Sequence, residues 1–195
     1  MHTEKNRTSK EALELLKEGN NRYLESCQNK GDFTAVLKKA VQNGQSPYAV
    51  IVSCSDSRVI PEAIFGAGMG ELFVIRVAGN VIDDHQLGSI EYAAQHLGCS
   101  LVVVLGHTHC GAVQAALQPD GDSRFIRFIM DEIHEAIGQE RDPDKCCERN
   151  VRHSIQRIEE SLEIQAKETC HELEVTGAVY DMETGRVRFL QSCKT

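Results

Sequence analysis

The sequence lacks the features that would direct it to a membrane. Residues 1–10 contain no apolar segment of the kind that a secretory signal peptide needs. Nowhere does the chain approach the roughly 18 consecutive apolar residues that a membrane-spanning helix requires. We therefore expect a cytoplasmic protein that has no membrane partner.

The chain also carries fewer positively than negatively charged residues. Lysine and arginine number 21 against 29 aspartate and glutamate residues, which gives a formal net charge of −8 at neutral pH. Proteins that bind nucleic acid or anionic membranes as their main partner usually carry the opposite balance. The composition argues against both partners, although it leaves room for a local positive site that binds a small anion.

What the chain does contain is enough apolar material for one folded domain. Its 195 residues are 41% hydrophobic and 26% charged, so a sizeable core is available and disorder is not expected. Eight cysteines are present. In a cytoplasmic setting cysteines are mostly reduced, so metal binding or chemistry explains them better than a disulfide framework does.

Three short apolar runs, rich in β-branched residues, predict strands that are buried on both faces of a parallel sheet: 49–52, 72–75 and 101–105. Between the last two runs lies a helical stripe that ends at Gly98, which is the pattern of a right-handed crossover. At the N-terminus, Thr8 and Glu11 have the spacing of a capping box that starts a helix, and a second helix is predicted over residues 34–43.

Towards the C-terminus, isoleucines at helical spacing predict a helix over residues 126–137, and a polar loop is expected from Arg141 to Asn150. A further helix follows from Val151, and residues 173–180 and 186–190 are predicted to form a hairpin. The chain is thus predicted to be a single α/β domain, residues 1–195, with a central, mostly parallel β-sheet flanked by helices. Its parts are an N-terminal helical arm (1–44), a metal-site core (45–118), and C-terminal helices with a hairpin (119–195).

Metal-binding residue types directly follow two of the predicted strands. Cys54 comes after the first strand, and His107 and Cys110 come after the third. Ligands of open parallel sheets bind beyond the carboxyl ends of the strands, so these side chains can converge although they are far apart in sequence. Thiolate sulfur and imidazole nitrogen suit zinc, and three protein ligands leave a fourth position open for catalysis. His109 is left out, because it is adjacent to Cys110 and is expected to point away.

The alternative for each ligand is a plain structural role. A lone buried cysteine is usually a small hydrophobic residue, and a histidine after a strand is more often packed than bound to metal. The joint placement of both segments at strand ends favours the metal site. Asp56 and Arg58 could likewise be a surface ion pair of little energetic value. Beside a metal, Arg58 would instead orient the Asp56 carboxylate, which could also move onto the metal as a fourth ligand.

At these residues the sequence resembles the β-class carbonic anhydrases. The resemblance rests on the ordered set of segments 54–58, 70–80, 88–93, 106–111 and 177–181, so it extends over nearly the whole chain. It implies a zinc lyase that reversibly hydrates carbon dioxide to bicarbonate, with one zinc per chain and a zinc-bound hydroxide as the nucleophile. It also implies a homodimer or a multiple of dimers, in which the N-terminal arm wraps the partner.

The resemblance assigns roles residue by residue. It gives Cys54, His107 and Cys110 as zinc ligands, and Asp56 with Arg58 as a dyad that controls access to the metal. The residues implied to contact substrate are Gln45, Phe73, Ala78, Tyr92 and Gly111. Phe73 and Tyr92 are equally compatible with plain core packing. Some members carry a tryptophan three residues before the first metal cysteine, which forms an inhibitory bicarbonate pocket. Ile51 stands there, so that regulation is not expected.

Three other functions compete with this interpretation. Hydrolysis of carbonyl sulfide or carbon disulfide could use the same scaffold, because these molecules share the linear shape of carbon dioxide. A non-catalytic zinc or redox-sensing module is disfavoured, because structural zinc sites are usually closed by four Cys or His ligands. A zinc nucleobase deaminase would need a His-x-Glu and a Pro-Cys-x-x-Cys motif at its metal site. Here His107 is followed by Thr108 and His109, and no Pro-Cys-x-x-Cys is present. The remaining cysteines are predicted to be structural or incidental: Cys27, Cys99, Cys146, Cys147, Cys170 and Cys193.

Overall fold

Five strands form one sheet in the computed structural model, which describes residues 7–25, 44–118 and 123–191. The strands are β1 (Ala49–Cys54), β2 (Leu72–Val77), β3 (Leu101–His107), β4 (Glu174–Tyr180) and β5 (Val187–Phe189). Their order across the sheet is β2-β1-β3-β4-β5, and every pair is parallel except the antiparallel pair of β4 with β5. The predicted α/β class, the mostly parallel sheet and the C-terminal hairpin are confirmed.

The helices are α1 (Ser9–Glu25), α2 (Pro61–Ile64), α3 (Asp84–His96), α4 (Gly111–Ala116), α5 (Arg124–Ile137), α6 (Pro143–Glu159) and α7 (Leu162–Thr169). A short 3₁₀ helix, Ala78–Asn80, directly follows β2. The helix predicted over residues 34–43 lies outside the described residues. Within the described part of the chain, no helix is both long and apolar enough to cross a bilayer.

Strands β1 and β3 are fully buried because both faces of the sheet are covered. Along β1, Val50 and Val52 pack into one hydrophobic cluster, while Ala49 and Ile51 pack into a second cluster. Strand β3 alternates in the same way. Successive side chains of a strand point to opposite faces, so a continuous apolar run of this kind is what a doubly covered strand needs. The sequence pattern of β1 and β3 therefore predicted their burial correctly. The predicted burial of β2 on both faces is wrong, because β2 lies at the edge of the sheet and only its first residue, Leu72, is buried.

Helix α1 lies against the second cluster and begins with the predicted capping box. The Thr8 backbone N–H donates to the Glu11 carboxylate at 2.8 Å, and the Glu11 N–H donates to the Thr8 hydroxyl at 3.3 Å. Further along α1, Gly19 touches the backbone of Phe65 so closely that a β-carbon would lie 1.7 Å from the Phe65 carbonyl oxygen. Only glycine allows this approach of the helix to the rest of the domain.

The predicted polar loop from Arg141 to Asn150 is wrong, because α6 begins at Pro143. The Asp142 carboxylate caps the helix by accepting the N–H groups of Asp144 and Lys145. A proline in the first turn does not interrupt a helix, since its missing N–H would have no partner there. The segment is rich in charge because one side of α6 faces solvent, while its other side packs against the sheet and the metal-ligand loops.

Candidate metal centre

The three predicted ligands meet at the carboxyl edge of the sheet. Cys54 is the last residue of β1 and His107 the last of β3, and these parallel strands are direct neighbours. Cys110 follows in the turn before α4. The ligand atoms of all three residues lie within 4.8 Å of one another, and all three residues are buried. The topology rather than the sequence spacing brings Cys54 to the other two.

His107 presents one ring nitrogen to this cluster. Its Nδ1 lies 2.9 Å from the Thr108 carbonyl oxygen, which can only accept, so Nδ1 carries the proton. The Nε2 atom is then a lone-pair donor, and it is buried without a hydrogen-bond partner among the described residues. A buried polar atom of this kind needs a partner. A metal ion coordinated by Nε2 would satisfy it, so the histidine fits a metal site.

The sulfur atoms of the two cysteines lie close together in this cluster. Their interaction lowers the pKa of Cys54 and, together with burial, raises the pKa of Cys110. Backbone N–H groups of Gly79 and Asp56 also point at the Cys54 sulfur, at 3.3 and 3.4 Å. These N–H groups stabilise a thiolate, and thiolate is the form of cysteine that binds metal. The donor set of two sulfurs and one imidazole is the chemistry that zinc prefers.

Asp56 and Arg58 form a two-point ion pair beside the cluster. The Arg58 Nε and Nη2 atoms donate to the two carboxylate oxygens of Asp56 at 2.9 and 2.7 Å, and the Arg58 backbone N–H adds a third bond. The side-chain bonds from Arg58 hold the pKa of Asp56 well below its usual range. The Asp56 side chain is 15% exposed and that of Arg58 is 59% exposed, so the arginine restrains the carboxylate from the solvent side.

The structure adds a residue that the sequence alone did not indicate. Arg76 of β2 donates from Nε to the Cys54 carbonyl at 3.2 Å and from Nη2 to the Asp56 carbonyl at 2.7 Å. It therefore holds the turn that carries both a ligand and the acidic residue. The signal in the sequence is a lone charge in the apolar run of β2, inside one of the segments that carry the family resemblance.

Two of the predicted substrate residues border the ligand cluster. Ala78 begins the 3₁₀ helix after Val77, and Val77 is the register partner of Cys54. Gly111 immediately follows Cys110 and begins α4. Both positions are therefore adjacent to the edge of the sheet where the ligands meet.

The other predicted substrate residues lie at the opposite end of the strands. Phe73 pairs with Val50 on β1, four positions before the metal end, which corresponds to roughly 13 Å at about 3.3 Å per residue. The Phe73 ring centroid lies 6.2 Å from that of Tyr92, a residue that is 48% exposed. Gln45 is exposed and precedes the first residue of β1. Within one chain these three side chains are separated from the ligands by the length of the strands.

Cysteines outside the ligand set occupy varied surroundings. Cys146 and Cys147 are buried on α6 and pack in the same cluster as Cys54 and Cys110, rather than in a loop. Burial raises the pKa of Cys147 to about 11, so its thiol stays protonated at neutral pH. Cys99 is buried in the core and Cys170 is exposed. The predictions for Cys27 and Cys193 lie outside the described residues.

Comparison with known proteins identifies the family. The carbonic anhydrase family model matches residues 49–187. Carbonic anhydrase 2 of Mycobacterium tuberculosis is 35% identical over 185 residues, which cover 90% of this chain and 89% of that protein. The carbonic anhydrase of Mycolicibacterium smegmatis is 34% identical over 187 residues, covering 90% of each. The solved structure of a Coccomyxa β-carbonic anhydrase in complex with acetazolamide has a TM-score of 0.72 and 27% identity, covering 89% of this chain and 83% of that one. The matched region includes every ligand of the metal centre, and the protein belongs to the β class of the carbonic anhydrase family.

Proposed function

We propose that this carbonic anhydrase hydrates carbon dioxide to bicarbonate and a proton, reversibly, at one zinc ion per chain that Cys54, His107 and Cys110 hold. The observation that carries the proposal is the buried cluster of three ligand atoms within 4.8 Å of one another, in which His107 Nε2 has no hydrogen-bond partner among the described residues. Zinc bound by three protein ligands supplies a Lewis acid that lowers the pKa of water.

In the proposed reaction, Asp56 and Arg58 set which groups can reach the metal. The two side-chain hydrogen bonds from Arg58 hold both carboxylate oxygens of Asp56 in a fixed orientation. So held, Asp56 can accept a hydrogen bond from the attacking oxygen without joining the ligand set. If Arg58 were to release it, the carboxylate would be free to compete as a fourth ligand. The pair therefore controls access to the fourth position.

Ala78 and Gly111 remain proposed substrate contacts, because both border the ligand cluster. Gln45, Phe73 and Tyr92 can serve the reaction only if a second copy of the chain brings them to the site, since the strands separate them from the ligands of their own chain. This placement supports the proposal that the active protein is a homodimer or a multiple of dimers.

The direct test combines metal analysis with stopped-flow kinetics. Wild-type protein should contain about one zinc per chain and hydrate carbon dioxide, while Cys54→Ser and Cys110→Ser should lose most of the metal and the activity. Cys170→Ser is the matched control, because it makes the same chemical change at an exposed position. Full zinc occupancy in both ligand variants would refute the assignment. Turnover of carbonyl sulfide by the wild type, measured alongside, decides between the two substrates.

A further inference from the structure

Helix α6 is hydrogen-bonded to the backbone segment that lies against the Cys54 sulfur. The Asn150 side-chain amide donates to the Gly79 carbonyl oxygen at 2.6 Å. One helical turn later, the Ser154 hydroxyl donates to the Asn80 carbonyl oxygen at 3.0 Å. Asn150 and Ser154 are each only 1% exposed. Two buried polar side chains of one helix thus hold two consecutive carbonyl groups of the 3₁₀ helix.

The held segment has an unusual backbone. Gly79 and Asn80 both adopt positive φ angles, of 70° and 47°. The first is natural for glycine, whereas the second is a left-handed conformation that L-residues rarely adopt. A β-carbon at position 79 would lie 2.9 Å from Ile133 Cδ1. The surrounding structure must therefore maintain this conformation, and the hydrogen bonds from α6 are positioned to do so.

The conformation has a consequence for the ligand cluster, because it directs the Gly79 N–H to the Cys54 sulfur at 3.3 Å. An N–H group donated to a thiolate withdraws negative charge from the sulfur. The amount of charge that Cys54 can give to a metal therefore depends on the orientation of the Ala78–Gly79 peptide, which carries this N–H. The Gly79 carbonyl held by Asn150 belongs to the next peptide, and the two are linked through the Gly79 α-carbon. Mutation of groups that orient metal ligands in this indirect way typically lowers metal affinity or activity by about tenfold to a hundredfold.

We propose that Asn150, assisted by Ser154, is a positioning residue of the metal centre: it fixes Gly79 so that the Gly79 N–H donates to the Cys54 thiolate. The proposal rests on the zinc site of the proposed function and extends it to a helix that supplies none of the ligands. It explains why a helix whose outer side is strongly charged keeps an asparagine and a serine buried one turn apart.

The test measures the metal–sulfur bond rather than turnover. Asn150→Ala, Ser154→Ala and wild-type protein are stripped of metal, and the zinc dissociation constant of each is measured by competition with a chelator at a fixed pH. The same proteins are loaded with cobalt(II), whose thiolate-to-metal charge-transfer absorption reports the charge on the sulfur. Ile158→Val is the matched control, because it removes buried atoms from the same helix at a position that packs in the core away from the 3₁₀ helix.

We expect Asn150→Ala to bind zinc about tenfold or more weakly, because the backbone beside Cys54 is no longer held in the geometry that orients this ligand. The charge-transfer band should shift to longer wavelength, because a sulfur that loses the Gly79 N–H keeps more negative charge. Ser154→Ala should shift both quantities in the same direction by less, and Ile158→Val should match the wild type. Wild-type affinity and an unshifted band in Asn150→Ala, or equal changes in Ile158→Val, would overturn the proposal. If Asn150→Ala does not fold, Ser154→Ala decides the test. A zinc affinity and a charge-transfer band equal to those of wild type in Ser154→Ala would then also overturn the proposal. A wild-type protein that binds neither metal would instead refute the zinc site itself.

Discussion

At the scale of single residues, the role proposed for Arg58 is one in which an exposed side chain matters more for chemistry than for stability. Its ion pair with Asp56 is open to solvent on the arginine side, and exposed ion pairs contribute little to the free energy of unfolding. Its geometry is nevertheless highly directional, because two nitrogens of one guanidinium meet the two oxygens of one carboxylate. Stability and activity should therefore respond differently when Arg58 is removed.

We predict that Arg58→Ala retains zinc and changes the melting temperature little, while carbon dioxide hydration falls at least tenfold. The physical reason is that Asp56 loses both of its side-chain donors and is free to approach the ligand cluster. Zinc analysis, thermal unfolding and stopped-flow rates of the same preparation measure the three quantities. Arg188→Ala, which breaks the exposed ion pair with Glu148 at the far edge of the sheet, is the control and should keep full activity. An Arg58→Ala enzyme that works at the wild-type rate would contradict the role of the pair.

The ligands were predictable because the two segments that carry them follow apolar runs, at the edge where a parallel sheet gathers its functional groups. Arg76 and Asn150 were not predictable in the same way. Both act on backbone carbonyls that belong to distant parts of the chain, and the sequence does not show which carbonyls will come within reach. Contacts of this kind depend on how a helix or strand approaches its neighbour.

At the scale of elements, α6 is the clearest case in which local composition misleads. Its first half is so polar that it resembles a loop, yet Asp142 caps it and Cys146 and Cys147 are buried. The helix is stabilised by packing against the sheet and against the loops that carry the metal ligands, and this tertiary packing overrides the polar composition. In contrast, the apolar runs of β1, β2 and β3 predict strands from local pattern alone, because both faces of the sheet are covered.

The buried cysteines of α6 provide a prediction at this scale. Replacing Cys146 and Cys147 together by serine should lower the melting temperature, because each buried hydroxyl without a partner costs about 1–3 kcal/mol. Turnover of the folded, zinc-loaded variant should stay within a few-fold of wild type, since neither thiol belongs to the ligand cluster. Cys170→Ser is exposed and should change neither quantity. Loss of activity in the double variant with zinc retained would reveal a chemical role for one of the thiols.

A second prediction concerns the ion pairs that join α6 to β5. Hydrogen bonds from Arg188 and then Arg152 lower the pKa of Glu148 in the folded protein. A carboxylate with a lowered folded pKa stabilises the fold above its unfolded pKa of about 4.3, and this contribution is lost as the pH falls through the lower value. Glu148→Gln should therefore reduce the free energy of unfolding at pH 7 and have little effect near pH 3. Denaturant unfolding at both values measures the difference, and equal effects at the two pH values would contradict it.

At the scale of the whole molecule, the metal ligands lie at one end of the strands, and Gln45, Phe73 and Tyr92 lie towards the other. The sequence could not show this separation, because a resemblance assigns roles to residues without saying which copy of the chain supplies them. Gln45 precedes β1, whereas Cys54 is the last residue of that strand, so the length of β1 separates the two. We propose that any role of this amide in the reaction belongs to a neighbouring copy.

Complementation between two defective variants tests this inference. Gln45→Ala keeps its ligands and lacks the amide, whereas Cys54→Ser lacks a ligand and keeps the amide. Co-expressed, the two variants should form mixed assemblies whose carbon dioxide hydration exceeds the sum of the separately purified proteins. Co-expression of Gln45→Ala with the double variant Gln45→Ala/Cys54→Ser is the matched control and should give no recovery. If the activity of the first mixture equals only the sum of the separate activities, Gln45 of one copy does not serve the site of another.

The position of α6 in the chain also bears on how the centre is assembled during synthesis. A nascent polypeptide that has left the ribosome as far as residue 118 already carries Cys54, His107 and Cys110, whereas Pro143–Glu159 is still to be made. β4, which flanks β3 in the finished sheet, is translated later still. The coordinating side chains thus exist well before the amide and hydroxyl that align them. Metal captured at that stage would occupy a looser arrangement, and the arrival of α6 would tighten it, so maturation of the centre is tied to completion of the chain.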